Sequence, residues 1–460
     1  MKLSVYTTDN AGHKLEKTAV VTGVEYLDVL PGADSHGFHP GDVEGGTIRL
    51  YPGVQRSTVQ GFGGAFTESA AYVWANAPKT ARDEIIEAYF GKNGIGYNYG
   101  RVSIGSCDFS LSAYSYIQGG ELDLKNFSTA RDEQYTLPFL KAALKKNPDI
   151  TLFASPWTPP PHLKTNGEWQ GGKLKKEYYS LWAKYVAAFI RDYAEKGVKI
   201  SAITVQNELR HRQVWESCTY EKEEELDLAS NYLAKEVKPL GVKIYVYDHC
   251  RERVFDRAAF AFAFSKEIDG IACHWYSGDY FDELRMTRER FPDKDIIISE
   301  ACVAMRKDKP VSDYDNKVLD AYAHDIIGDL NGGANAFCDW NLVLDENRGP
   351  SHFRDNRPMM ADAPVIVENG KVIFRPSFYA IGHFSKFIRK HARIIGHSQP
   401  WRDVEVTAAI NPDQNCVAVV YNRGGAKHCK VLVGTSLFEI DLAENSLNTL
   451  VIEHEKPFVR

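Results

Sequence analysis

The sequence predicts an α/β protein: a (β/α)8 barrel carrying a β-sandwich built from both chain termini. Three observations lead there. Eight short apolar runs alternate with eight longer amphipathic segments through the middle of the chain, the texture of parallel strands joined by helices. Both ends carry only short strand-like runs broken by Gly and Pro. Two of the central runs stop at polar residues, Gln206-Asn207-Glu208 and Ser299-Glu300, as strands do where they open onto a barrel mouth.

In chain order, residues 1–52 supply strand runs at 3–6, 18–21, 24–29 and 47–50. Residues 53–392 form the barrel, with strand runs at 59–64, 101–105, 150–155, 201–208, 243–247, 270–275, 295–300 and 334–340. The fourth run, Ser201-Ala202-Ile203-Thr204-Val205, has no internal Gly or Pro, which suits a buried strand. Helical segments fall at 81–90, 131–146, 175–196, 222–238, 252–267, 282–290, 315–330 and 378–391. Residues 393–460 return to short strands, at 404–406, 416–420, 430–433 and 437–440. Because the two ends share a texture, they are expected to build one sandwich together.

Composition removes several classes of function. Of 460 residues, 44% are hydrophobic and 25% charged, which is ordinary for a soluble globular chain. A net charge of −6 argues against nucleic acid or an anionic membrane as the main partner. No run reaches the ~18 apolar residues of a membrane span, and residues 1–9 lack a secretory core. The eight cysteines are scattered without a CxxC pair, which predicts reduced thiols and a cytoplasmic location. His249-Cys250 and Cys273-His274 lack metal-ligand spacing, so neither metal nor other cofactor is expected. Gly61-Phe62-Gly63-Gly64 is no dinucleotide fingerprint, since it has no acidic partner in a doubly wound setting. Glu221-Lys222-Glu223-Glu224-Glu225 reads as a solvated first helical turn.

The polar strand ends carry the chemistry. Glu208 ends the fourth strand and Glu300 the seventh, so the two carboxylates can face each other across the barrel mouth. Hydrolysis of a glycosidic bond requires such a pair, at about 5–5.5 Å when the anomeric configuration is retained and about 6.5–9.5 Å when it is inverted. The aromatic content of 12% adds rings that serve cores and sugar sites alike.

At this point a resemblance becomes specific. Asn207-Glu208 with Glu300 resembles glycoside hydrolase clan A, and the wider text resembles glycoside hydrolase family 30, the glucosylceramidase family. The matching stretches include Gly61-Phe62-Gly63-Gly64-Ala65-Phe66-Thr67, Gly94-Ile95-Gly96-Tyr97-Asn98, Ser106-Cys107-Asp108-Phe109-Ser110 and Ala154-Ser155-Pro156-Trp157-Thr158. Leu163-Lys164-Thr165-Asn166-Gly167, His274-Trp275-Tyr276 and Trp340-Asn341-Leu342 complete them. The resemblance implies Glu208 as general acid/base, Glu300 as nucleophile and Asn207 as a contact to the sugar 2-hydroxyl. It implies Asp108, Trp157 and Trp340 as the grip on the terminal sugar, with Arg101 and Tyr276 around the nucleophile. His274 is placed beside them as a supporting residue.

Each assignment has a plainer alternative. Trp157, ahead of Thr158-Pro159-Pro160-Pro161, could wall a stiff loop, Arg101 could pair a structural carboxylate, and Asp108 could cap a turn. His274 could belong to the core. The chain also departs from many relatives at Leu209, where they have Pro, so the following loop is expected to differ in shape. Arg210 and Arg212 put two positive charges on that rim. The activity implied is a retaining β-glycosidase acting on terminal β-glucosides. A β-xylosidase, β-fucosidase or β-1,6-glucanase on the same scaffold, or a non-catalytic carbohydrate-binding barrel, are the alternatives. The expected partner is a carbohydrate or glycoside, and nothing in the sequence sets an oligomeric state.

Overall fold

The computed structural model describes residues 1–26, 46–353 and 359–453. All eight central runs form strands: β1 Gly61–Ala65, β2 Tyr99–Ile104, β3 Thr151–Pro156, β4 Ile200–Thr204, β5 Lys243–Cys250, β6 Gly270–His274, β7 Asp295–Glu300 and β8 Ala336–Asn341. They close into a parallel barrel in sequence order, β8 pairing β1. The glycines of β1 are there for contact. A Cβ on Gly63 would lie 1.6 Å from the Tyr99 carbonyl oxygen, so only hydrogen fits where β1 meets β2. Inside the barrel Tyr99, Phe153, Ala202, Tyr245, Ala272, Ile297, Ala336 and Cys338 form one buried cluster. Large rings and small methyls from successive strands interleave there, which fills the tube and leaves chemistry to its mouth.

Helices lie where the amphipathic period predicted them, with local differences. The fourth segment is α-helical over Lys222–Asp227, widens to a π turn over Leu228–Leu233 and resumes over Ala234–Val237. An unpredicted helix, Glu68–Asn76, follows β1. Thr67 caps it, its Oγ1 accepting from the Ala70 N–H at 3.1 Å. One expectation is overturned: the acidic turn is not wholly solvated. Glu225 is buried and accepts from the Tyr247 N–H at 2.6 Å. Burial pushes its carboxyl up to about 7, against the lowering effects of that bond and of Arg257.

Both ends do build one sheet system. Lys2–Thr8 lies between Lys14–Thr22 and Ser446–Glu453, antiparallel to both. Thr47–Thr58 joins Arg393–Ser398 on one side and Lys427–Val433 on the other. Alternate residues share one core: Leu3 and Val5, Ile48 and Leu50, then Val404, Val406 and Ala408, and Cys429, Val431 and Val433. That period of two is what a half-buried strand shows. Of the predicted run at 24–29, Val24–Glu25 forms a short edge strand, and residues 27–29 lie outside the described residues. The strands Arg393–Ser398 and Ser446–Glu453 were not predicted.

The described chain divides into two compact units. One comprises 1–60, 316–333 and 376–460, the other 61–315 and 334–375. Most of the helix Asp315–Gly332 therefore groups with the sandwich strands, although its sequence position is that of a barrel helix. The eight cysteines stand as thiols with no disulfide among them. Among the described residues no helix is long and apolar enough to cross a membrane, and no His, Cys, Asp and Glu cluster could hold a metal.

Candidate active site

The C-terminal strand ends surround a cavity of about 330 Å³. Asp108, Trp157, Asn207, Glu208, Tyr276, Glu300 and Trp340, all predicted, line it together. Arg101 and His274, also predicted, are fully buried and touch the groups that line it.

Glu300 is the last residue of β7 and is held at both oxygens. Oε2 accepts from Arg101 at 2.6 Å and Oε1 from the Tyr276 hydroxyl at 2.9 Å. The Arg101 guanidinium uses its whole fork. It also donates to Ser155 Oγ at 3.0 Å, Asn207 Oδ1 at 2.9 Å and Asp248 Oδ2 at 2.7 Å. Its central carbon sits 4.6 Å from the Trp157 ring centre, a cation–π contact in a water-poor place. Arg101 therefore pairs a structural carboxylate and a cavity carboxylate at once.

That structural carboxylate, Asp248, went unforeseen. It is fully buried on β5 with every lone pair used. Oδ1 accepts from Ser299 at 2.5 Å and faces His274 Nε2 at 3.1 Å. Oδ2 accepts from Thr204 at 2.6 Å as well as from Arg101. Burial alone would raise its carboxyl, but the Arg101 charge and His274 hold it well below the usual carboxylate range. The signal was available: Asp248 directly follows the apolar run 243–247, much as Gln206-Asn207-Glu208 follow the run 201–205. Tyr247 and Asp248 sit at φ 79° and 44°, left-handed values that break the strand pattern just there.

Glu208 sits differently from the expectation that it ends the strand. The ladder of β4 stops at Thr204, and Glu208 lies four residues on at φ 50°. Between them, Val205 and Asn207 donate to the Tyr245 and Pro156 carbonyls, and Glu208 itself donates to the Asp248 carbonyl at 2.9 Å. The chain thus follows the barrel wall to the carboxylate. Its Oε2 accepts from Gln213 at 2.9 Å, and Oε1 lies 3.9 Å from His274 Nδ1. Burial, aided by the Glu300 charge, pushes the carboxyl up to about 7 against the opposing pull of His274. His274 is raised too: burial would lower it, but Glu300 and Asp248 outweigh that.

Trp157 and Trp340 stack at 5.3 Å and 18°, forming a flat wall. Asp108 is buried beside them, and its carbonyl accepts from Ser351 at 2.5 Å. Gln213, Trp215, Cys302, Ala304, Met360 and Ala361 complete the lining and were not predicted. They lie on irregular segments and a short strand pair, where no periodicity marks them. The two rim arginines are neutralised, Arg210 by Glu252 at 2.7 Å and Arg212 by Glu168 at 3.2 Å.

A (β/α)8 barrel whose mouth gathers two glutamates, an ion-paired arginine and stacked indoles around one sugar-sized cavity defines a glycoside hydrolase. Residues 59–388 match the glycosyl hydrolase family 30 TIM-barrel domain and residues 391–450 the family 30 β-sandwich domain, and the chain belongs to that family. It is 33% identical over 404 residues to lysosomal acid glucosylceramidase of Mus musculus, covering 82% of this chain and 77% of that one. It is 26% identical over 399 residues to an endo-1,6-β-D-glucanase of Neurospora crassa, with 82% of each chain covered. The crystal structure of SrfJ from Salmonella typhimurium superposes with a TM-score of 0.91 at 32% identity, over 99% of this chain and all of that one.

Proposed function

We propose that this glycosidase removes terminal β-glucosyl groups with retention of configuration, by double displacement on two glutamates. Glu300 attacks the anomeric carbon while Glu208 protonates the departing oxygen; water, deprotonated by Glu208, then releases the sugar. The observation that carries this reading is the inequality of the two carboxyls within one cavity. Glu208 is pushed up to about 7, in the range of a group that must give and take a proton near neutrality. Glu300 is oriented by Arg101 and Tyr276, as an attacking oxygen needs to be. Asp108, Trp157 and Trp340 would hold the sugar, and Asn207, fixed by Arg101, would meet its 2-hydroxyl.

A second reading, cleavage of β-1,6-glucan, draws support from the similarity to the Neurospora crassa glucanase. Turnover of aryl β-glucoside, β-xyloside and β-fucoside, set beside a β-1,6-linked glucan, separates the readings. A 2-deoxy-2-fluoro glucoside should trap the sugar on Glu300, found by peptide mass mapping. An adduct on Glu208, or a product of inverted configuration, overturns the assignment.

A further inference from the structure

The loop after Glu208 reaches back to it. Gln213 Nε2 donates to Glu208 Oε2 at 2.9 Å, and both side chains line the cavity. The other oxygen, Oε1, has His274 Nδ1 at 3.9 Å, beyond hydrogen-bond reach. The two oxygens of one carboxyl therefore have different surroundings. Gln213 is itself anchored, because its N–H donates to Ser217 Oγ at 3.1 Å. Ser217 in turn is pinned by the buried Lys164 ammonium, which donates to its carbonyl at 2.7 Å, and by its own N–H on the Trp169 carbonyl at 3.1 Å.

We propose that Gln213 is a positioning residue that decides which oxygen of Glu208 carries the transferable proton. An amide N–H can meet only an acceptor, and the carbonyl oxygen of a protonated carboxyl accepts better than its hydroxyl. The contact therefore gives Oε2 the carbonyl character and leaves the proton on Oε1. This rests on the reading of Glu208 as acid/base. In the first step the glycosidic C–O bond breaks with its electron pair going to the departing oxygen. That oxygen takes the Oε1 proton, and the anomeric carbon bonds to Glu300. In the second step water attacks that carbon as its bond to Glu300 breaks, the electron pair returning to the Glu300 carboxylate. The proton from water returns to Glu208, and Gln213 supports the Oε2 end of the Glu208 carboxylate in between. The same hydrogen bond favours the ionised form and opposes the upward push of burial. The other titratable groups around Glu208 are Arg101 from β2, Cys250 from β5, His274 from β6 and Glu300 from β7.

Gln213→Met keeps the length of the side chain and removes the donor. It should lower kcat/KM about tenfold to a hundredfold on a phenyl glycoside, whose leaving group needs a proton, and less than about threefold on the dinitrophenyl glycoside. The basic limb of its kcat/KM–pH profile should move up by about one pH unit, and Gln213→Glu should move it further. Equal loss on both substrates with an unmoved limb overturns the proposal and leaves Gln213 as a wall. Glu208→Ala, run in parallel, should show the same leaving-group split in a stronger form. If it does while Gln213→Met does not, the Gln213 assignment alone fails. If Glu208→Ala shows no split, the acid/base reading fails and takes this proposal with it.

Discussion

Arg101 on β2 donates to Glu300 on β7 at 2.6 Å, from a guanidinium with no exposed surface. The same planar fork reaches Asp248 on β5 and Asn207 beyond β4. One cation thus orients two cavity groups while it neutralises a carboxylate that never meets water. Lysine could supply the charge but not the three-way geometry.

Arg101→Met should destabilise the fold by about 3–5 kcal/mol, because Asp248 is left buried without its cation. Arg101→Lys should recover part of that loss yet still lower kcat/KM at least about tenfold. Urea unfolding and steady-state kinetics on the two variants separate the structural role from the orienting one.

Glu208 ties activity and stability to the same proton. As the acid, it should give kcat/KM a basic limb near pH 7, where burial and Glu300 have pushed its carboxyl. The folded chain keeps this proton to higher pH than the unfolded chain, whose carboxyl sits near 4.5. Its contribution to stability is therefore full below about pH 4.5 and lost as pH rises through about 7. Glu208→Gln has no proton to lose. Its stability relative to wild type should rise between pH 4.5 and pH 8 by about 1–3 kcal/mol, read by urea unfolding at each pH. An unchanged difference would mean that the carboxyl titrates alike folded and unfolded.

Asp108 should be needed for the sugar and not for the fold. A hydrogen bond to a charged acceptor is worth roughly 1.5–3 kcal/mol, so Asp108→Ala should cost about tenfold to a hundredfold in kcat/KM. Wild-type kinetics in that variant would reduce Asp108 to a turn residue.

Leu3 should matter although it stands far from any chemistry in sequence. It is fully buried in the sandwich core and pairs in register with Ile452. Leu3→Ala should lose about 2–5 kcal/mol of sandwich stability, measured by thermal or urea unfolding. Deleting residues 1–10 should expose the Ser446–Glu453 edge and send the protein to the insoluble fraction.

What could be read in the sequence, and what could not, follows from physics. Barrel strands are buried on both faces, so they write themselves as apolar runs, and all eight were legible. Glu208 and Glu300 stood out because a polar residue at the end of such a run has to face something. Asp248 obeyed the same rule and was missed, since the apolar run 243–247 stops at Tyr247 whereas the strand continues through Asp248 to Cys250. The strand Ser446–Glu453 was missed because Ser446, Asn448 and Thr449 are buried polar residues. Their partners, Thr7 for Asn448 and His383 for Thr449, come from distant parts of the chain. Glu225 looked like a solvated acid because the Tyr247 N–H it accepts from is a backbone group that no side-chain pattern announces, and its ion-pair partner Arg257 comes from a later helix. Gln213 sits in a loop, where only the folded geometry brings it to Glu208.

The bond from Thr7 to Asn448 spans 441 positions, and its strands are neighbours in the sheet. A ribosome adding about 5–20 residues per second needs roughly 20–90 s to cross that interval. For all of that time the strand Lys2–Thr8 has only its hairpin neighbour, Lys14–Thr22, to pair with, and its other edge stays open. The barrel strands all emerge before the partner does. Closing the sandwich must therefore wait until every barrel strand has been synthesised, and a nascent chain stalled anywhere in the barrel displays an unpaired edge to whatever meets it.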